Sequence, residues 1–169
     1  MASLPRSSKR LSIPVIAMFF VICLAACNDD KAVSGGVFQG GSITFTTAIL
    51  PQQLGVTPFV AAGCPLIPAF STQFDLVLNT IGSGSIFLQE MTLQLGNGES
   101  LGGSPLLVSA NDLAARFGST VVRAGTRRTF TFFPQFTCVG FQPRSLLANV
   151  IIVDQIGTRH TQTMTVPVF

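Results

Sequence analysis

Tryptophan and tyrosine are both absent from the chain, histidine occurs once, and charged side chains make up 10% of the 169 residues. Trp and Tyr supply the amphipathic faces on which proteins stack sugars, so their absence argues against a carbohydrate-binding surface. A lone histidine needs carboxylate or thiolate ligands at suitable spacing to hold a metal. We therefore interpret His160 as a structural residue, either hydrogen-bonded or solvated, and expect no metal site and no cofactor.

Acidic residues are few, and most stand one by one along the chain. Glycoside hydrolysis needs two carboxylates at a set separation, and no such pair can be named from the sequence. Asp75 and Glu90 would approach each other only if both pointed outward from adjacent strands. The Gly-x-Ser-x-Gly turn of serine hydrolases is missing too, since Gly82-Ser83-Gly84-Ser85-Ile86 lacks the closing glycine. The sequence therefore predicts a protein that is not an enzyme.

The first 26 residues have the composition of a secretory leader, with a basic start, an apolar run and small residues at its end. The apolar run over residues 11–26 is short for a bilayer-spanning helix, which needs about 20 apolar residues. It ends in Leu24-Ala25-Ala26-Cys27, which resembles the lipobox of bacterial lipoproteins. The resemblance implies that residues 1–26 are removed as a signal peptide and that Cys27 becomes a lipid-bearing first residue. The alternative is an ordinary leader or anchor with a coincidental cysteine.

The lipobox resemblance also implies a location in the cell envelope, where the lipid on Cys27 would hold the chain on a membrane. Asn28 follows the cysteine where an inner-membrane lipoprotein would often carry Asp. By resemblance to lipoprotein sorting signals, this favours the periplasmic face of the outer membrane over the inner membrane. Lys9-Arg10 only faintly resembles a twin-arginine export signal, so we expect the ordinary export route.

Removal of the leader changes the charge and cysteine counts. Three of the ten basic residues precede Cys27, so the remaining seven balance seven acidic ones, and this near-zero net charge gives no support for a nucleic-acid partner. Cys23 leaves with the leader and Cys27 carries lipid, so only Cys64 and Cys138 remain. Because the compartment outside the cytoplasmic membrane is oxidising, we expect these two to form a disulfide. The alternative is a pair of buried free thiols.

From Ser42 onward, apolar and polar residues alternate over short runs, which is the period of half-buried strands. The run 146–153 is almost continuously apolar and predicts a strand in the middle of the core. A short helix is predicted over 111–117, capped by Asn111 and crossing from one sheet to the other. Turn signals lie at 82–84, 96–98, 124–126 and 154–157. The residues expected to face the core are Ile43, Phe45, Thr47, Ile49, Phe74, Leu76, Leu78, Phe87, Met91, Leu93, Leu95, Phe130 and Phe132.

About seven short strands and one long-range disulfide indicate an all-β protein, an antiparallel β-sandwich with at most one short helix. Residues 149–160 and 163–168 resemble the last hairpin of immunoglobulin-like and fibronectin-type domains of bacterial surface proteins. Residues 124–132 are similar to the strand before that hairpin. The resemblance implies an immunoglobulin-like sandwich over 42–169 but no function, because such sandwiches host many unrelated roles. Residues 27–41 are then the lipidated N-terminus and a flexible, glycine-rich tether.

Arg116, Arg123, Arg127 and Arg128 form a candidate interaction patch, able to meet an anionic lipid headgroup or a partner carboxylate unless they are simply a solvated face. We expect a membrane-anchored, non-enzymatic structural or protein-interaction module of the bacterial cell envelope, with an envelope protein as its partner. The alternative is a periplasmic carrier of a small ligand or lipid. In that case the thirteen phenylalanines that follow Cys27 would line a cavity instead of a dry core.

Overall fold

The computed structural model describes residues 33–40 and 43–169. This part of the chain is almost entirely antiparallel β-structure, arranged in three sheets with one short helix, which confirms the all-β sandwich. Twelve strands are present within it, more than the seven predicted, because several are only two to four residues long. The elements are β1 Val33–Gly40, β2 Ile43–Leu50, β3 Val56–Phe59, β4 Ala69–Thr72, β5 Phe74–Gly82, β6 Ile86–Gly96, β7 Leu101–Val108, α1 Ala110–Phe117, β8 Val121–Val122, β9 Arg127–Phe132, β10 Gln135–Phe136, β11 Ser145–Asp154 and β12 Arg159–Pro167.

One layer of the sandwich is a four-stranded sheet in the order β1-β2-β5-β9. Side chains alternate between core and surface along β2, as the period of two requires. The predicted inward faces of β2, β5 and β9 are confirmed, because all their members are nearly inaccessible to solvent. These members are Ile43, Phe45, Thr47, Ile49, Phe74, Leu76, Leu78, Phe130 and Phe132.

The opposite layer is a five-stranded sheet in which β12, β11, β6 and β7 follow one another and β8 also pairs with β6. Strand β11 lies between β12 and β6, which confirms the central strand predicted over 146–153. Its side chains alternate strictly, so only every second apolar residue reaches the core. The buried apolar members are Leu146, Ala148, Val150 and Ile152.

The predicted inward position of Phe87 is wrong. Phe87 is 38% exposed, whereas its neighbour Leu88 is 1% exposed. The pairing of β6 with β11 shifts between Glu90 and Leu88, so Gln89 is an extra residue in β6. On one side of an added residue, the side chains that would have faced inward face outward instead. A prediction based on a strict two-residue period does not include this change.

The three-stranded sheet, in the order β10-β4-β3, closes one end of the sandwich, and we call it the cap. A single residue, Gln73, separates β4 from β5, so the cap continues directly from the four-stranded sheet. The segment leading into β3 also reaches the opposite layer, because the Leu54 N–H donates to the Pro167 carbonyl at 2.9 Å. A disulfide joins Cys64 to Cys138 across the cap, which confirms the predicted pairing.

Helix α1 differs from its prediction in two respects. Its N-cap is Ser109 instead of Asn111, and a capping box links Ser109 with Asp112. The helix connects β7 to β8, and both strands pair with β6 in the same sheet. The crossing between layers is therefore made by the 123–126 turn, which leads from β8 to β9. No helix among the described residues is long and apolar enough to cross a membrane.

Strand β1 occupies 33–40, within the segment predicted as a flexible tether, and that prediction is wrong for these residues. They pair with β2 in antiparallel register, from Val33 opposite Ile49 to Gly40 opposite Ile43. Backbone hydrogen bonds hold a strand at a sheet edge whatever its side chains, so glycine content alone did not reveal it. The predicted signal peptide, Cys27 and Asn28 lie outside the described residues.

Phenylalanine rings fill much of the space between the layers. Phe74 and Phe132 stack with ring centroids 5.4 Å apart. Phe117, from α1, meets Phe130 and Phe132 edge-on at 5.1 and 5.3 Å. These rings belong to one continuous cluster of buried side chains from both layers. The interior phenylalanines therefore pack on one another as a core.

Candidate functional site

Three of the four predicted patch arginines line one groove of about 380 Å³. The groove lies at the end of the sandwich opposite the cap, because Arg127 pairs with Asn79 near the far end of β5, whereas Phe74 begins β5 beside the cap. Among the described residues that line it there is no acidic side chain. We call it the arginine groove; its lining residues are Ser119, Val121, Val122, Arg123, Thr126, Arg127 and Arg128.

Arg128 is the most firmly held cation of this groove. Its guanidinium donates to the Val121 carbonyl at 2.9 Å and to the Phe117 carbonyl at 3.4 Å. The same group lies over the Phe130 ring, 4.8 Å from the centroid. Both contacts restrain a long side chain, so little conformational entropy remains to be lost when a ligand binds. Arg128 therefore supplies a fixed positive charge, while Arg123 and Arg127 are exposed.

Buried Thr80 fixes the turn that presents Arg123. The Thr80 hydroxyl donates to the Arg123 carbonyl and lies 3.2 Å from both the backbone N and the carbonyl oxygen of Thr126. Thr126 closes the turn with its own N–H, 3.1 Å from the Arg123 carbonyl. Gly125 takes a φ of 65° there, a conformation that costs glycine little. The turn predicted at 124–126 is thus confirmed, and its hydrogen bonds hold the part of the groove that carries Arg123.

The fourth predicted arginine, Arg116, does not join this groove, so the single patch is wrong in that respect. Arg116 sits on α1, with its guanidinium over the Phe132 and Phe133 rings at 5.7 and 5.3 Å. Strand β9 runs from Arg127 toward Phe132, so these rings draw Arg116 toward the cap. The short distance in sequence between Arg116 and the other three arginines could not show in which direction the helix places its side chain.

A larger cleft, which we call the end cleft, lies beside the cap and has a volume of about 840 Å³. Its one charged lining residue among those described is Asp75, which accepts a hydrogen bond from the Thr131 hydroxyl at 2.6 Å. Phe133 and Phe169 line it with more than half of their surface exposed. The sequence did not predict this cleft, because its lining residues come from distant segments. They are Leu50, Pro51, Gly55, Val56, Thr57, Ser71, Thr72, Gln73, Phe74, Asp75, Phe133, Gln135 and Phe169.

The two acids singled out from the sequence, Asp75 and Glu90, do not form a pair. Asp75 lies on β5 and Glu90 on β6, in opposite layers, so they do not meet across adjacent strands. His160 is buried and lies 3.1 Å from the carboxylate of Asp154, which agrees with a hydrogen-bonded structural histidine. Within the part of the chain that the structure describes, no three His, Cys, Asp or Glu side chains are grouped as metal ligands.

Comparison with known proteins gives no family. No protein-family model matches the chain, and no curated protein matches it. Among solved structures, a protein determined as Northeast Structural Genomics Consortium target SoR45 is similar at 8% identity and a TM-score of 0.48, over 75% of this chain and 86% of that one. Chicken MD-1 complexed with lipid IVa is similar at 8% identity and a TM-score of 0.31, over 81% of this chain and 97% of that one. Likeness this distant carries no argument, so function is argued from the geometry.

Proposed function

We propose that this chain is a lipid-anchored, non-enzymatic interaction module of the bacterial cell envelope that binds a carboxylate-bearing partner protein through the arginine groove. One observation carries the proposal: Arg123, Arg127 and Arg128 line a single groove. A guanidinium pairs with a carboxylate through two parallel N–H···O bonds, which gives both attraction and orientation. The lining hydroxyls of Ser119 and Thr126 add hydrogen-bonding groups beside the cations.

The lipobox resemblance supplies the anchor in this proposal, and the topology supports its orientation. Cys27 precedes the start of β1 at Val33 by six residues, a span of at most about 20 Å when fully extended. Val33 pairs with Ile49 at the cap end of the four-stranded sheet. The paired strands β2 and β5 extend from there to the opposite end of the sheet, where Arg127 lies. An anchored chain would thus hold the cap toward the membrane and the arginine groove away from it, with Asn28 favouring the outer membrane.

A carrier of a small ligand is the second candidate, and the end cleft is the observation that favours it. Its volume of about 840 Å³ falls within the range of small-molecule sites. The ligand would lie between the carboxylate of Asp75 and the exposed rings of Phe133 and Phe169. In this carrier hypothesis the ligand binds in the end cleft, and the interior phenylalanines form a packed core instead of lining a cavity.

Site-specific photo-crosslinking in intact cells tests the proposal. A photoreactive residue replaces Ser119, an exposed lining residue of the arginine groove. We expect one discrete crosslinked protein, and about ten-fold less of it when Arg123→Glu and Arg127→Glu are combined, equivalent to about 1.4 kcal/mol of lost affinity. Arg159→Glu is the matched control, because Arg159 is also exposed but does not line the groove. This control should leave the crosslink unchanged.

Two outcomes would contradict the proposed partner site. A crosslink that survives the double charge reversal would show that the arginines do not recognise the partner. Absence of any crosslinked protein, together with a small molecule retained by the purified protein in native mass spectrometry, would favour the carrier. In that case Asp75→Ala should release the bound molecule.

A further inference from the structure

The loop between β3 and β4, residues 60–68, carries exposed apolar side chains at the tip of the cap. Val60 is 81% exposed, Leu66 is 95% exposed and Ile67 is 43% exposed. Single exposed apolar residues are ordinary on soluble proteins, but a group of them on one protruding loop is not. We propose that this loop, which we call the cap loop, inserts its apolar side chains into the surface of the lipid bilayer beside the anchor. The inference rests on the proposed lipid anchor for the direction in which the cap faces.

The absence of charged residues within the cap itself favours a lipid surface as the partner of the cap loop. The segments 51–74 and 133–143, which contain the cap strands and their connections, include no Asp, Glu, Lys, Arg or His. Moving a charged group into the bilayer costs free energy, whereas moving an apolar side chain there is favourable. Soluble protein interfaces usually place polar and charged residues around their apolar centre, whereas Asp75 and Arg144, the nearest charged residues in the sequence, lie outside these cap segments. Insertion into a bilayer surface requires no charged rim around the apolar residues.

The chain's connectivity brings the same loop toward the membrane. Val33 begins β1 at the cap end, and only residues 28–32 separate it from Cys27. A lipid on Cys27 therefore keeps the cap within a short distance of the headgroups. A lipid attached at one residue fixes only where the chain meets the membrane, whereas a second contact also fixes which end of the domain faces it. The cap loop supplies that second contact from the same end of the molecule.

The cap loop is also held in an outward position. Cys64 anchors it to Cys138 through the disulfide. Turns within the loop bond the Cys64 N–H to the Ala61 carbonyl at 3.0 Å and the Ile67 N–H to the Cys64 carbonyl at 3.2 Å. Leu66 lies between these bonded residues, with its side chain exposed to solvent. Because the apolar side chains are already presented, insertion needs little reorganisation.

The lack of tryptophan makes a direct test possible, since one introduced Trp is the sole indole in the chain. The full lipidated protein carrying Leu66→Trp is placed on vesicles of phosphatidylethanolamine and phosphatidylglycerol that contain brominated acyl chains. The matched control is Ile156→Trp, because Ile156 is 79% exposed in the turn that joins β11 and β12, opposite the cap. We expect blue-shifted emission and about five-fold stronger quenching at position 66, since interfacial segments reach about 5–10 Å into the bilayer.

Each result has a separate meaning because vesicle flotation is measured on the same samples. Protein that floats while the Leu66→Trp indole stays unquenched keeps the anchor and overturns the cap-loop insertion. Blue-shifted but unquenched emission overturns it too, because the indole would then be covered by protein, such as a second copy of this chain, and not by acyl chains. Failure to float overturns both proposals. As a second variant, Leu66→Asp added to Val60→Trp should abolish quenching at position 60, and quenching that persists would contradict insertion.

Discussion

Asp154 Oδ2 and His160 Nε2 lie 3.1 Å apart across the hairpin that joins β11 and β12, and both side chains are buried. Oδ1 of the same aspartate accepts from the Ile156 N–H at 3.0 Å and the Thr158 N–H at 2.8 Å. Burial acts to raise the pKa of Asp154, but these hydrogen bonds and that from His160 outweigh it and hold the pKa below its usual value. The ionised carboxylate of Asp154 therefore stabilises the hairpin through these hydrogen bonds.

This relationship predicts a loss of stability in acid. A carboxyl whose pKa is lower in the folded state contributes stability that is present above its unfolded pKa and disappears as the pH falls through the folded value. Asp154→Asn removes the charge but leaves an oxygen for the turn N–H groups. We expect the free energy of unfolding, measured in urea, to fall less between about pH 5 and about pH 3 in the variant than in the unchanged protein. Equal slopes would show that Asp154 does not carry the effect.

The disulfide predicts a large effect on stability, because it closes a loop of 74 residues. In the chain-entropy description, removing it by Cys64→Ser with Cys138→Ser should lower the free energy of unfolding by roughly 4 kcal/mol. Urea unfolding under oxidising and reducing conditions measures this difference. The serine variant should be insensitive to reductant, and a reductant effect that persists in it would assign the loss to something else.

Thr80 and Thr47 offer a matched pair of substitutions, since both are buried threonines with different surroundings. The Thr80 hydroxyl bonds to the Arg123–Thr126 turn, so Thr80→Val should cost about 0.5–1.5 kcal/mol for each hydrogen bond that is lost. Oγ1 of Thr47 has no hydrogen-bond partner among the described residues, so Thr47→Val should be neutral or stabilising.

Urea unfolding distinguishes these two threonine variants, and the Ser119 crosslink adds a second measurement. Thr80→Val should weaken the crosslink because the groove loses its fixed turn. Thr47→Val should leave it unchanged. Equal destabilisation by both substitutions would mean that the hydroxyl bonds to the turn do not contribute.

The proposed anchor predicts a clear biochemical outcome for Cys27→Ala. Without the thiol no diacylglycerol can be attached, and the leader should remain uncleaved, because lipoprotein processing needs the modified cysteine. Mass spectrometry of the purified protein should find a lipid mass in the unchanged protein and none in the variant. A mature protein that begins near residue 27 without any lipid mass would show an ordinary leader.

Alternation along single strands was enough to predict much of the core. Ile43, Phe45 and Ile49 face inward because a period of two places every second side chain on one face. The same reasoning failed at Phe87, where an extra residue in β6 depends on how that strand pairs with β11. It failed again at β1, which the partner strand holds through backbone hydrogen bonds.

Some residues of the candidate sites could likewise be predicted from the sequence, and others could not. Arginines 123, 127 and 128 could be selected from their spacing, since they flank one turn and enter one strand. The position of Arg116 could not, because the direction of a helical side chain depends on what the helix packs against. The end cleft could not be predicted either, since its walls come from residues as distant as Leu50 and Phe169.

The sequence by itself determined the all-β class, the pairing of Cys64 with Cys138 and most inward-facing residues. Alternation along a strand is a local property, and the cysteine pairing followed from a count. Only the tertiary structure decided which residues lie at which end of the sandwich. It placed the start of β1 beside the uncharged cap and the three arginines at the far end. The physical reason is that strand pairing joins residues far apart in the chain, and register is set by the whole sheet.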